Sequence, residues 1–95
     1  MAPALPFSMA WDRIKRHAGQ AFYLKKGDPF KYQMVNDDSM NVDRVSQNFF
    51  LTKSDFNKAY QLVPFNGPGV IQQDCRGPSY IWAILHDGRI SQNDW

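Results

Sequence analysis

The side chains of this chain that could move a proton, hold a metal or attack a bond are few. Two histidines, His17 and His86, and one cysteine, Cys75, are all that titrate near neutral pH. A thiol–imidazole pair is the nucleophilic arrangement they permit, and it needs a thiolate held at low pKa by a nearby positive charge. Arg76 adjoins Cys75 in sequence, which does not set side-chain geometry. A half-buried thiol at a strand end is the simpler reading. Structural zinc needs about four Cys or His ligands in paired spacing, which these residues do not provide. All 9 acidic residues are Asp, with no Glu. The adjacent pair Asp37–Asp38 lies in Asn36-Asp37-Asp38-Ser39, a composition that favours a turn over an all-oxygen Mg2+ site. Gly67-Pro68-Gly69 lacks the Lys-Ser/Thr of a phosphate loop, and its proline lacks an N–H. No Gly-x-Ser-x-Gly elbow and no acid-x-Lys triplet occurs. The expectation is a non-enzymatic protein with no metal or cofactor.

Binding chemistry has more material. Arg13, Lys15 and Arg16 in one stretch, and Lys25, Lys26 and Lys31 in another, are interleaved with Phe22, Tyr23, Phe30 and Tyr32. Aromatic rings beside cations on a sheet can stack bases and neutralise phosphates. The same alternation also assigns some of those aromatics to a buried face, leaving the lysines as solvated hairpin charges. The candidate nucleic-acid contacts are Arg13, Arg16, Lys25, Lys26 and Lys31 on phosphate, with Tyr23 stacking. A second constellation lies near the C-terminus: Trp82, His86, Arg89 and Trp95. On a helix over 79–87 the first three share a stripe at i, i+4 and i+7, and Trp and Arg are frequent binding anchors. The bland reading is that Trp82 is buried.

These residues need elements to position them. Asn48 to Gly69, NFFLTKSDFNKAYQLVPFNGPG, is the clearest stretch. Phe49, Phe50 and Leu51 end a strand that starts near Ser46. Thr52 and Asp55 have capping-box spacing. Phe56, Ala59, Tyr60 and Val63 form one helical face over 53–63, which Pro64 terminates. Earlier, Ser8 is a helix N-cap for a helix over 9–18, with Gly19 just past its end. Period-two runs at 21–25 and 30–35, split by Lys26-Gly27-Asp28-Pro29, predict a β-hairpin. A shorter strand is expected at 40–42 and an edge strand at 70–73. For 79–87, Pro78 and Gly88 at its boundaries favour a helix over a buried strand. No two adjacent helices precede the hairpin, which excludes a winged helix.

With 95 residues there is room for one core, and 15% aromatic content helps fill it. The predicted fold is a single α+β domain: a small antiparallel sheet of three or four strands, packed by two or three helices. Phe22 or Tyr23, Tyr32, Phe50, Phe56, Tyr60, Ile81 and Ile84 should be core. Residues 1–7 read as a flexible lead-in, 8–90 as the domain and 91–95 as a polar tail. A lone cysteine fits a reducing compartment, the opening MAPALPFSMAW lacks the pattern of a signal peptide, and the apolar run 80–85 is too short to span a bilayer. A cytoplasmic protein with no membrane partner is expected. The net charge of +2 permits nucleic acid without arguing for it. The function expected is a small binding module for DNA or RNA, or for a nucleic-acid-handling complex, through a basic helix and hairpin surface. The alternative is a protein-interaction module or inhibitor, of the kind a phage-type antagonist of a larger complex represents, acting through Trp82, His86, Arg89 and Trp95.

Overall fold

Asp55 accepts the backbone N–H of Thr52 on its carboxylate at 3.3 Å, while the Thr52 hydroxyl accepts the N–H of Asp55 at 3.4 Å. This reciprocal capping box starts helix α2, which runs Lys53–Tyr60 as the Thr-x-x-Asp spacing predicts. Phe56, Ala59 and Tyr60 are buried. The helix stops before 63 because the N–H groups of Leu62 and Val63 bond three residues back, to Ala59 and Tyr60, in a tightened last turn. Val63 is buried all the same. The computed structural model describes residues 5–43, 48–73 and 77–95. Cys75, Arg76 and the strand start expected at Ser46 lie outside them.

Among the described residues the sheet has four antiparallel strands in the order β1-β2-β3-β4: β1 Phe22–Tyr23, β2 Pro29–Asn36, β3 Ser39–Asp43 and β4 Asn48–Thr52. Neighbours in space are neighbours in sequence because each connection is of hairpin length. Between β2 and β3 the chain turns at Asp37 and Asp38. Asn36 Oδ1 accepts the Asp38 N–H at 2.8 Å and the Ser39 hydroxyl at 2.9 Å, which is turn chemistry for this cluster. The register Tyr32↔Val42 and Met34↔Met40↔Leu51 defines the inner face, and Gln33↔Asn41↔Phe50 the outer. Phe50, expected in the core, is therefore on the outer face, where it is 43% exposed. Side-chain direction alternates along a strand, so Leu51 cannot point inward unless Phe50 points out.

Helix α1 spans Phe7–Arg16 and is entered from Pro6, not capped by Ser8. The fixed φ of proline positions the first turn, and no side chain caps it. Its inner face, Ala10, Trp11 and Ile14, lies on the sheet. There the Tyr32 hydroxyl donates to the Ile14 carbonyl at 2.6 Å, and the Trp11 indole N–H donates to the Asp37 carbonyl at 2.6 Å. Burial pushes the Tyr32 phenol well above its usual pKa. Gly19 takes φ +89°, a left-handed turn that Gly makes without a Cβ clash.

Where an edge strand was expected at 70–73, the chain instead makes a 3-10 helix, Pro68–Ile71. Pro68 opens it and only Ile71 is buried, so no alternating face exists for a strand to bury. Helix α3, Pro78–Leu85, then crosses the core with Tyr80, Ile81, Ala83, Ile84 and Leu85 all buried. A short helix α4, Gly88–Ser91, is capped by the Asp87 carboxylate, which accepts the Arg89 N–H at 2.9 Å. The last residues return to the core. The Trp95 indole N–H donates to the Leu85 carbonyl at 2.6 Å, and its ring meets Tyr60 edge-on at 5.1 Å. At the other terminus, the Tyr60 hydroxyl donates to the Leu5 carbonyl and the Phe7 ring lies 5.3 Å from that of Tyr60. The molecule is thus a small α+β domain with one core between the inner sheet face and the helices. Among the described residues no helix is long and apolar enough to cross a membrane.

Candidate functional site

The hairpin alternation separates the aromatic and basic residues cleanly. Phe22, Phe30 and Tyr32 face inward, where the Phe22 ring lies 6.1 Å from Phe30 and 5.2 Å from Tyr32. Tyr23, Lys31 and Gln33 face outward. Tyr23 stands in register with Pro29, Lys31 with Asp43, and Gln33 with Asn41 and Phe50. The outer sheet face therefore presents two exposed aromatic rings, Tyr23 at 59% and Phe50 at 43%, separated by amides and a lysine. The described helices pack on the other face, through contacts such as Tyr32–Ile14 and Phe30–Tyr80. Sequence reasoning missed Phe50, Gln33 and Asn41 as members of this face. Phe49-Phe50-Leu51 is apolar throughout, so period two alone does not say which member turns outward.

Lys25 and Lys26 lie at one end of this face, in the β1–β2 turn. The Lys25 ammonium donates to the Asn66 carbonyl at 3.0 Å and sits 5.8 Å from the Trp82 ring centroid. Lys26 pairs with Asp28 at 3.4 Å, with both side chains more than 60% exposed. A pair that open to water contributes little and yields readily to a competing anion. Together with Leu24, Pro68 and Ser79, the two lysines border a cleft of about 260 Å3.

The helix cations are placed differently. Arg13 is committed to the fold: its guanidinium donates to the carbonyls of Ile90 at 2.9 Å and Ser91 at 3.2 Å, and pairs with Asp94 at 2.6 Å. Arg16 is exposed, with its Nε donating to the Asp12 carbonyl at 3.4 Å. It belongs to the helix layer, so the structure does not bring it together with Tyr23 and Lys31.

The C-terminal constellation is also held by internal contacts. The Trp82 indole N–H donates to the Phe65 carbonyl at 2.9 Å, and its ring stacks on His86 at 5.3 Å. His86 accepts the Phe65 N–H on Nε2 at 3.1 Å, so its proton is on Nδ1, which donates to the Trp82 carbonyl at 2.9 Å. Burial lowers the His86 pKa, opposed in part by that carbonyl. Arg89 is not on the helix of Trp82 and His86, as the expected 79–87 helix required; α3 ends at Leu85 and Arg89 is in α4. Its guanidinium forks onto Asp87 at 2.9 and 3.0 Å, donates to the Ala21 carbonyl at 2.7 Å and lies 4.1 Å from the Phe22 ring centroid. Burial works against the Asp87 carboxylate, but hydrogen bonds from the Arg89 side chain and backbone hold its pKa below the usual range.

Among the described residues no group of three or more His, Cys or Asp side chains is gathered as a metal site requires. An open groove of about 950 Å3 lies at the opposite end of the sheet, between the β2–β3 turn, Phe50, Phe7 and the first turn of α2. The outer sheet face carries two exposed rings, the amides of Gln33 and Asn41, and Lys31. Compared with protein-family models, curated proteins and solved structures, the chain matches none.

Proposed function

We propose that this protein is a small cytoplasmic, non-enzymatic module that binds single-stranded nucleic acid across the outer face of its sheet. The observation that carries the reading is the exposure of Tyr23 and Phe50 on a sheet face that the described helices leave uncovered. A soluble fold gains nothing from leaving two rings in water, whereas an unpaired base offers each a flat partner. From the strand spacing and the rise per residue, the two rings lie about 20 Å apart, which is room for a few nucleotides. Gln33 and Asn41 lie between them and can hydrogen-bond base edges. Lys31 on the face, with Lys26 at its end, would neutralise phosphates, and Lys25 would join only by leaving Asn66 and the Trp82 ring. Arg16 would act only at the margin, and Arg13 is engaged elsewhere. What weighs against the protein-interaction alternative is that Trp82, His86, Arg89 and Trp95 each spend their polar groups on internal bonds.

The test is an anisotropy titration of labelled single-stranded DNA and RNA at two salt concentrations. About two or three phosphate contacts predict a log–log salt slope between about −1.4 and −2.1, since each contributes about −0.7 on single strands. Tyr23→Ala should weaken binding by about 1–3 kcal/mol, the worth of one stacked base. Absence of binding at low salt, or affinity indifferent to Tyr23→Ala and Lys31→Ala, would remove the reading.

A further inference from the structure

We propose that the outer edge of β4 is a homodimerisation surface, on which a second copy of this chain adds its own β4 in antiparallel pairing. β4 is the last strand in the sheet order, and among the described residues no strand pairs with its far side. Exposed edges invite pairing, and proteins that stay monomeric blunt them with lysine, proline, a bulge or a covering side chain. The other edge of this sheet is blunted in that way. β1 is only 2 residues long, runs into Lys25 and Lys26, and has Arg89 donating to the carbonyl of Ala21 just before it. β4 carries fewer of these devices: Lys53 follows it directly, but no lysine, proline or bulge falls within it. Its 5 residues, Asn-Phe-Phe-Leu-Thr, include no charge and no proline, and its register with β3 runs without a shift.

The backbone groups left open follow from the ladder. The Lys53 N–H bonds to the Asp38 carbonyl at 2.7 Å, while the Thr52 N–H turns away from β3 to the Asp55 carboxylate. Alternation along an antiparallel pair then sends the N–H groups of Phe49 and Leu51 toward β3 and leaves the N–H and C=O of Phe50 pointing outward. Those two groups are self-complementary. With a two-fold axis through Phe50, the Phe50 residues of the two copies exchange both hydrogen bonds. Each Thr52 carbonyl meets the Asn48 N–H of the other copy, and the Thr52 N–H stays in its capping box. Such an isologous pairing closes on itself as a dimer instead of growing into a fibre.

A second copy also suits the surroundings better than a charged foreign peptide. The net charge of +2 per chain gives little repulsion between copies. At the Thr52 end of the edge, the groove of about 950 Å3 between the β2–β3 turn, Phe50 and the first turn of α2 leaves space beside the incoming strand. The two Phe50 rings would lie side by side on the outer face. A pairing about 17 Å long is smaller than the roughly 800 Å2 per partner of a standard interface, so association on the order of micromolar is expected.

Sedimentation equilibrium of the full chain without nucleic acid tests this independently of the ligand. The average mass should rise with concentration toward twice that of the chain. Phe50→Lys, at an exposed position, should leave the melting temperature unchanged and weaken dimerisation more than about tenfold, because two like charges then meet at the axis. Tyr23→Lys, at the opposite edge, should leave dimerisation intact. A single monomeric mass at all concentrations overturns the proposal, as does a dimer that survives Phe50→Lys or is lost in Tyr23→Lys.

Discussion

Arg89 and His86 carry the chemistry that attracts notice in the sequence, and in the structure both act as internal fasteners. The Arg89 fork ties α4 to the start of the sheet through Asp87, Gln20 and Ala21 while covering the Phe22 ring. Arg89→Ala should lower stability by about 1–3 kcal/mol in urea unfolding, the range for charge-assisted bonds. Arg89→Lys should recover little, because an ammonium cannot fork onto Asp87 and reach Ala21 together. His86 makes a prediction of opposite character. Its Nε2 must accept from Phe65, so protonation sets donor against donor. Burial lowers the folded pKa below the ordinary 6.5, so the unfolded chain binds the proton more readily. The stability it contributes is complete above about pH 6.5 and declines as pH falls from there through the folded pKa. Melting temperature followed from neutral pH to about pH 5 should therefore fall more steeply in the wild type than in His86→Gln, whose amide oxygen can still accept from Phe65. Equal slopes would show that His86 does not titrate in this window.

At the scale of elements, the capping box explains why α2 begins where it does. Thr52→Ala removes the acceptor for the Asp55 N–H and should lower stability by about 1 kcal/mol, while Thr52→Ser should restore most of it. An unchanged urea midpoint in Thr52→Ala would mean that packing, not the cap, sets the helix start. The packing itself centres on Phe56, fully buried and 5.4 Å from the Trp11 ring. Phe56→Ala should reduce stability by about 3–5 kcal/mol, a substantial part of what a domain of this size possesses. The expected strand at 70–73 became a 3-10 turn for a related reason. Val70 is 54% exposed and Ile71 fully buried, and one inward side chain does not sustain a strand.

At the scale of the whole molecule, the two ends of the chain meet across Tyr60, with Leu5 and Phe7 on one side and Trp95 on the other. Asp94 neutralises Arg13 next to them, so residues read as a polar tail serve as a clasp. Trp95→Ala should cost about 1–3 kcal/mol and lower the melting temperature by several degrees. A melting temperature unaffected by that change would show the clasp to be superfluous. The sheet keeps its outer face and its β4 edge free of the described helices, and the proposals for nucleic acid and for a second copy meet at Phe50, which belongs to both.

Local rules were enough for the elements whose signals are short-range. The capping box of Thr52 and Asp55, the turn at Asp37–Asp38, the period of two in Phe30-Lys31-Tyr32-Gln33 and the proline-started helix at 78 all depend on residues within one turn or one hairpin of each other. From them the α+β class and the antiparallel order of strands could be read. What depended on distant parts of the chain could not. Phe50 turned outward because its register with Asn41 and Gln33 assigned Leu51 to the core. Arg13 and Arg89 lost their availability because carbonyls and carboxylates far along the chain, Ile90 for one and Ala21 for the other, came within hydrogen-bonding reach. A sequence states which side chains are cations or rings. Whether each meets water or a partner is decided by which segments pack together, since burying an unpaired charge costs several kcal/mol and the fold settles where every such group is matched.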